Sequence, residues 1–368
     1  MNTKTLYLHV GMPKTGTTAL QSFCANNGSW LEKNGLIYPV MKYYFRHCSQ
    51  NRNAHFLLVK DRAKLARYEK KRYTKKLRES MFDEIFSSFT KTDKVLISDE
   101  AFWYTKDIAD KAITGLKERC DKQGVNLKIV AYLRRQDEVA ESWYAQRVKM
   151  GLKTGGFQDF LEKVDEFIPL HYEKRLGEFS DIVGKDNVIV RIYHKGLIKD
   201  NGLIKDYLKT TGVDAVLDEG LTLHMENESI SDNYTEIMRW LNMLYEKDEE
   251  YSSENRFFRD SAVGCSVKFS EKRGMFSGAE AEEFLSCYEE ENRRVNRDYM
   301  GNDAPLFEAK KREKEQWSAD NPEMLHDLAV FFGDVIWRQQ QEIRTLRKFS
   351  FIYRLAVRLK IIDEQLII

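Results

Sequence analysis

Apolar positions along this chain follow two alternating patterns. Four short runs are apolar almost throughout and read as buried strands: Thr5-Leu-Tyr-Leu-His-Val10, Lys94-Val-Leu-Ile-Ser-Asp-Glu100, Leu127-Lys-Ile-Val-Ala-Tyr-Leu133 and Asn187-Val-Ile-Val-Arg-Ile-Tyr193. Between them, apolar residues recur at helical spacing. That spacing predicts helices over 19–31, 79–90, 107–123, 157–165 and 171–183, with another opening within 134–144. Strands alternating with helices predict an α/β fold, a mostly parallel sheet flanked by helices on both faces. Such sheets collect ligands at the C-terminal ends of their strands. Lys14, Glu100 and Arg134 each lie at or just past a strand end, so they are expected on one edge.

The second half reads as mainly helical, over 203–211, 231–245, 278–299 and 322–348. In the last of these, Leu325, Leu328, Phe332, Val335, Ile336, Ile343 and Leu346 recur at helical or heptad-like spacing. The expected organisation is a domain over 1–307 and a helical C-terminal extension over 308–368.

The stretch after the first strand carries the clearest chemistry. Gly11-Met-Pro-Lys-Thr-Gly-Thr-Thr18 joins a strand to a helix through a tight, glycine-containing turn. A helix start offers free N–H groups and the positive end of its dipole, and Lys14 adds a full charge, so the turn reads as a phosphate cradle. The glycine spacing is that of the P-loop GxxxxGK[ST], but Thr17 stands where the lysine belongs. That weakens a P-loop kinase or ATPase reading, in which Asp99 would hold Mg²⁺ at the end of the second strand.

Composition narrows the field. An apolar fraction of 42% supports a sizeable core, and 59 Lys and Arg against 58 Asp and Glu give a formal net charge of +1. A general nucleic-acid coat is excluded, and any anion site must be local. The basic stretch 60–78 reads either as a solvated helix face or as a positive rim for an anionic acceptor or membrane. Five scattered cysteines without a CxxC argue for a reducing compartment and against a zinc site. The early first strand leaves no room for a signal peptide, and no apolar run is long enough to span a bilayer, so the expected location is the cytoplasm.

The run Pro13-Lys-Thr-Gly-Thr-Thr18 resembles the 5′-phosphosulfate loop of sulfotransferases that use 3′-phosphoadenosine 5′-phosphosulfate (PAPS). Arg134 and Ser142, eight residues apart, resemble that family's 3′-phosphate motif, and Ser98-Asp-Glu100 resembles a strand end in its bacterial carbohydrate-type members. Weaker likenesses run through 188–193, 227–231 and 292–299. The resemblance implies a P-loop-like, metal-independent enzyme that moves a sulfuryl group from PAPS to a hydroxyl and releases PAP. It implies cofactor contacts from Pro13, Lys14, Thr15, Gly16, Thr17, Thr18, Arg134 and Ser142. Lys14 would stabilise the leaving phosphate and Glu100 would be the general base. Asp99 is the backup base. His55 and Arg135 are further acceptor-side candidates, and Lys272-Arg-Gly274 is a candidate cover for the 3′-phosphate.

The acceptor is left open by the residues; resemblance points to a glycan or glycolipid. A non-catalytic glycan- or membrane-associated protein is the other alternative. The basic, apolar tail is open to three readings: peripheral contact at the inner face of a membrane, packing on its own domain, or packing on a second subunit in a homo-oligomer.

Overall fold

The computed structural model describes residues 3–46, 48–59, 67–152, 155–222, 231–244, 273–308, 312 and 315–358. β1 (Thr5–Gly11) turns into α1 (Thr17–Asn26) and α2 (Gly28–Lys33). α3 (Arg67–Arg72) and α4 (Lys75–Ser87) precede β2 (Lys94–Ser98). α5 (Ala101–Tyr104) and α6 (Asp107–Lys122) lead to β3 (Asn126–Leu133). α7 (Gln136–Lys149), α8 (Phe157–Leu161), α9 (Val164–Phe167) and α10 (Tyr172–Val183) lead to β4 (Val188–Ile192). The remaining described helices are α11 (Gly202–Thr210), α12 (Asp232–Leu244), α13 (Gly278–Ser286), α14 (Glu289–Val295) and α15 (Met324–Arg358).

All four expected strands form, and they make one parallel sheet in the order β2-β1-β3-β4. β1 is buried at every position, as a central strand covered on both sides must be. Tyr7, Leu96, Val130 and Tyr132 share a core with Leu20, Phe23 and Cys24 of α1 and Leu203, Ile204, Tyr207 and Leu208 of α11. α5 packs on β1, α6 on β3, and α10 on β3 and β4. In α6 the buried Ala109, Ala112, Ile113, Leu116 and Cys120 form one stripe, with acids in its first turn and bases in its last.

Helix boundaries depart from the sequence pattern where polar side chains intervene. The helix expected over 19–31 breaks at Asn27, whose Nδ2 donates to Phe23 O at 2.9 Å and whose Oδ1 accepts from Thr222 N at 3.0 Å. The helix expected from 79 begins at Lys75, because Thr74 Oγ1 caps it by accepting from Leu77 N at 3.1 Å.

The chain divides into two units. The first, residues 1–143, 161–228 and 279–311, holds the sheet. The second, residues 144–160, 229–278 and 312–368, includes α12 and α15. Within it, Asn233 Nδ2 donates to Asn321 Oδ1 at 3.0 Å and to Asp327 Oδ2 at 2.9 Å, and Asn233 Oδ1 accepts from Trp317 Nε1 at 2.7 Å. Tyr234 and Phe331 pack with ring centroids 6.0 Å apart. Among the described residues no helix is long and apolar enough to cross a membrane.

Gly16 sits at φ +79°, and a Cβ there would lie 2.4 Å from Leu203 Cδ2. Gly16→Ala is expected to destabilise the chain by about 1–3 kcal/mol through left-handed backbone strain and overpacking against α11. Denaturant unfolding of the two proteins measures it.

Candidate active site

In the order β2-β1-β3-β4 the strand order reverses between β1 and β3: β2 is added on one side of β1, then β3 and β4 on the other. Loops leaving adjacent strands on opposite sides open a crevice at such a switch point. The loop after β1 and the corner after β3 both lie there. Gly11, Lys14 and Gly16 all have positive φ, at 88°, 69° and 79°. For Lys14 this is a strained, left-handed conformation that a non-glycine residue adopts at a cost of about 1–2 kcal/mol. Thr15 is buried and donates from Oγ1 to Met12 O at 2.6 Å, which tightens the loop. Gly16 leads into α1 without a side-chain cap, so its own residue type offers the first amides of α1 no capping acceptor. Pro13 and Thr17 are buried, Lys14 and Gly16 half-buried, and Thr18 exposed.

Arg134 closes the far side. Its Nη1 donates to Lys14 O at 2.9 Å and its Nε to Glu138 Oε2 at 2.9 Å. Its guanidinium lies 5.5 Å from the centroid of the Tyr193 ring. Tyr172 Oη donates to Arg134 O at 2.5 Å, and Met12 Sδ lies 3.4 Å from the same hydroxyl. These bonds use two of the five guanidinium donors. Ser142 is half-buried on α7, two turns beyond this corner, and its side chain makes no hydrogen bond among the described residues. Arg135 turns away: its Nε and Nη2 grip the buried Asp137 at 2.8 and 2.7 Å.

Glu100 follows β2 and stands beside the same loop. A Cβ on Gly11 would lie 2.9 Å from Glu100 Cβ, so only glycine permits that approach. Glu100 Oε2 accepts from Gln21 Nε2 at 2.9 Å, and Oε1 lies 3.4 Å from Arg52 Nη1. Gln21 is on α1, so the helix that begins at the cradle also holds this carboxylate. Gln21 Nε2 donates as well to Ser98 Oγ at 3.1 Å, which pairs with His9 Nδ1 at 2.9 Å. Burial lowers the His9 pKa to about 3, against the opposing Asp99 charge, so His9 is neutral near pH 7.

Asp99 is fully buried, and its carboxylate is saturated. Oδ1 accepts from Arg52 Nη2 at 2.5 Å and Ala101 N at 2.7 Å; Oδ2 accepts from Arg52 Nε at 3.1 Å and pairs with His55 Nδ1 at 2.8 Å. Burial would raise the Asp99 pKa, but the His55 hydrogen bond and the Arg52 charge outweigh it and hold it below the usual range. Burial would lower the His55 pKa, but hydrogen bonds with Asp99 and Cys48 and the Asp99 charge raise it to about 9. Such a carboxylate has no lone-pair position left for Mg²⁺ or for an acceptor proton. Asp99 therefore anchors Arg52 and His55.

The structure thus brings the Pro13–Thr18 loop, Glu100 and Arg134 to one edge, leaves Ser142 two turns along α7, and commits Asp99, His55 and Arg135 to internal ion pairs. Sequence reasoning missed Gln21 and Arg52 as site residues. Gln21 lies one helical turn after Thr17, a spacing that was available; Arg52 lies in the aperiodic stretch 41–58, where nothing singled it out. Lys272 and residues 227–230 lie outside the described residues. Arg273 is held in the second unit by Glu315 and Glu323 at 3.2 and 2.5 Å. Among the described residues no three His, Cys, Asp or Glu side chains converge to hold a metal ion.

No family model matches the chain. It is 28% identical over 180 residues to an uncharacterised protein of Archaeoglobus fulgidus, a match that covers 47% of this chain and 46% of that protein. The chain thus spans about half the length of that relative. Among solved structures it is similar to a sulfotransferase from Alicyclobacillus acidocaldarius, with a TM-score of 0.38 and 16% identity over 67% of this chain and 98% of that one. It is also similar to a retinol dehydratase in complex with androsterone and the inactive cofactor PAP, with a TM-score of 0.31 and 14% identity over 78% of this chain and 81% of that one. These likenesses are too slight to carry an argument about the chain, whose fold and site rest on its own sheet order and contacts.

The Asp99–His55 pair makes stability depend on pH. His55 binds its proton more tightly when folded, at about 9, than at its ordinary 6.5. Its contribution is full below pH 6.5 and is lost as pH rises through about 9. Asp99, held below its ordinary 3.8, contributes above that pH and loses its contribution as pH falls through its depressed folded value. The stability gap between the native chain and His55→Gln is therefore expected to narrow steadily above pH 6.5. Denaturant unfolding across that range measures it, and a constant gap would contradict this assignment.

Proposed function

We propose that the chain is a sulfotransferase that moves a sulfuryl group from PAPS to an acceptor hydroxyl. The observation that carries this reading is the clamp between Arg134 Nη1 and Lys14 O, 2.9 Å, across the switch point and beside Glu100. It joins the two halves of an anion site whose sequence motifs resemble the two ends of a PAPS site. The residues fit such a donor: three backbone positions at positive φ shape a cradle, uncapped α1 amides open onto it, and two cations flank it.

In this reading PAPS supplies an activated sulfuryl group on a good leaving group. The acceptor oxygen bonds to sulfur as the sulfur–phosphate oxygen bond breaks, the electron pair leaves with the phosphate of PAP, and the acceptor proton goes to Glu100. Lys14 and the α1 amides stabilise the charge that grows on the phosphate. The hydroxyls of Thr17 and Thr18 donate to phosphate oxygens. Arg134 and Ser142 hold the 3′-phosphate. Lys14 and the helix end supply the positive field that a metal would otherwise provide. Gln21 and Arg52 orient Glu100. Asp99, expected as a backup base, and His55 and Arg135, expected as acceptor-side candidates, serve as internal anchors because their partners are already protein groups. A glycan or glycolipid hydroxyl is the acceptor class that the resemblance favours.

Transfer from PAPS to a glycan panel in the presence of a chelator tests the reading. Glu100→Gln is expected to lower kcat by about 10²–10⁴. Lys14→Ala is expected to lower it by about 10²–10³. Arg134→Ala is expected to weaken PAP binding about tenfold or more, through loss of a charge-assisted hydrogen bond. Undiminished turnover by Glu100→Gln would remove the base assignment. Mg²⁺-dependent binding of ATP in place of PAP would overturn the sulfotransferase reading.

A further inference from the structure

α15 runs for 35 residues and leaves an apolar stripe in solvent. Leu325, Ala329, Phe332, Ile336, Ile343 and Leu346 are all exposed, Leu325 at 80% and Leu346 at 60%. At 100° per residue they lie within about 100° of the helix circumference. The face directed at the rest of its own unit is a neighbouring one, centred about 110° round the helix, where Met324, Asp327, Phe331 and Val335 are buried and α12 packs. The stripe is therefore not the helix's own packing face.

Its spacing is that of a coiled-coil seam. With Ala329, Ile336, Ile343 and Ser350 at heptad position a, position d holds Leu325, Phe332, Gln339 and Leu346. Six of these eight positions are apolar. Isoleucine at a with leucine at d favours two parallel strands; Gln339 at d and Ser350 at a are the two polar positions of the seam. The flanking charges agree. Glu342 falls at g and Arg347 at e, the two positions that meet between chains in a parallel pair. Both are exposed, and neither has an ion-pair partner among the described residues. In a two-fold dimer each Glu342 would face the Arg347 of the other copy, so the pairing closes on itself twice.

We infer that α15 is the dimerisation element of this protein and pairs in parallel with α15 of a second copy through this seam. The seam from Leu325 to Ser350 is about 39 Å long at the α-helical rise. Phe349, at g, widens its end, while Trp337 and Phe351, at b, lie outside it.

Sedimentation equilibrium of the full chain over about 1–100 μM is expected to show a reversible dimer. Ile336→Asp combined with Ile343→Asp, both at exposed positions, is expected to give a monomer. Glu342→Arg alone or Arg347→Glu alone is expected to weaken the dimer about tenfold, by turning two attractive pairs into repulsive ones. An equal mixture of those two variants is expected to restore it, because each reversed charge then meets its complement. This rescue separates the proposal from mere loss of folding. Leu325→Cys is expected to form a disulfide-linked dimer on oxidation, which an antiparallel pair would prevent. A monomer throughout, a dimer indifferent to both charge reversals, or a monomer that instead sediments with anionic phospholipid vesicles through this face would overturn the inference.

Discussion

The buried carboxylate of Asp99 is the constraint on which the edge of the sheet depends. It sits immediately after β2, out of reach of water, and a buried charge left unpaired would cost about 3–5 kcal/mol. Four hydrogen-bonding contacts answer that cost, and three of them come from Arg52 and His55. Those two residues lie in a stretch with almost no regular structure. The carboxylate therefore does for residues 52–55 what a strand or helix would otherwise do: it fixes where they are. Backbone amides reinforce the same junction, since Ala54 N donates to Ser98 O at 3.3 Å and Ser98 N to the Asn53 side chain at Oδ1, 2.8 Å.

Once Arg52 is fixed, Glu100 is fixed too. One of its oxygens lies near Arg52 and the other accepts from Gln21 on α1. The helix that follows the cradle, the strand end after β2 and the aperiodic stretch thus meet at a single carboxylate. On the other side of β1, Arg134 ties the β3 corner to the carbonyl of Lys14. The strained backbone at Lys14 is held between these two attachments. Strain persists only where surrounding contacts over-determine the geometry, and here they do.

Much of this was legible in the chain. The four strands could be read because a sheet covered on both faces demands nearly unbroken apolar runs, and few other structures do. The Gly11–Thr18 turn could be read as a tight strand-to-helix connection because its glycines supply the left-handed backbone such a turn requires. Arg134 and Glu100 could be expected at one edge because parallel connections place successive strand ends together. Asp99, His55 and Arg135 show where such reading runs out. Asp99 and Arg135 have the right residue type just past a strand end and His55 lies in a stretch resembling an acceptor-side segment, but each is consumed by a neighbour whose identity depends on folding: Arg52 for Asp99, Asp99 for His55, and Asp137 for Arg135. Gln21 and Arg52 were overlooked for the complementary reason. Their importance comes from what they touch, 79 and 48 positions away along the chain.

The sequence by itself determined the strands, their alternation with helices, the glycine-containing turn after β1 and the heptad spacing of the last helix, because each depends on residues close together in the chain. Only the tertiary structure decided which of the two carboxylates is buried and saturated, because Asp99 and Glu100 are adjacent in sequence and their burial and partners come from residues distant along the chain. It also decided which face of α15 packs on its own unit. A heptad pattern is compatible with either choice, and burial of Phe331 and Val335 left the Ile336–Ile343 seam in solvent.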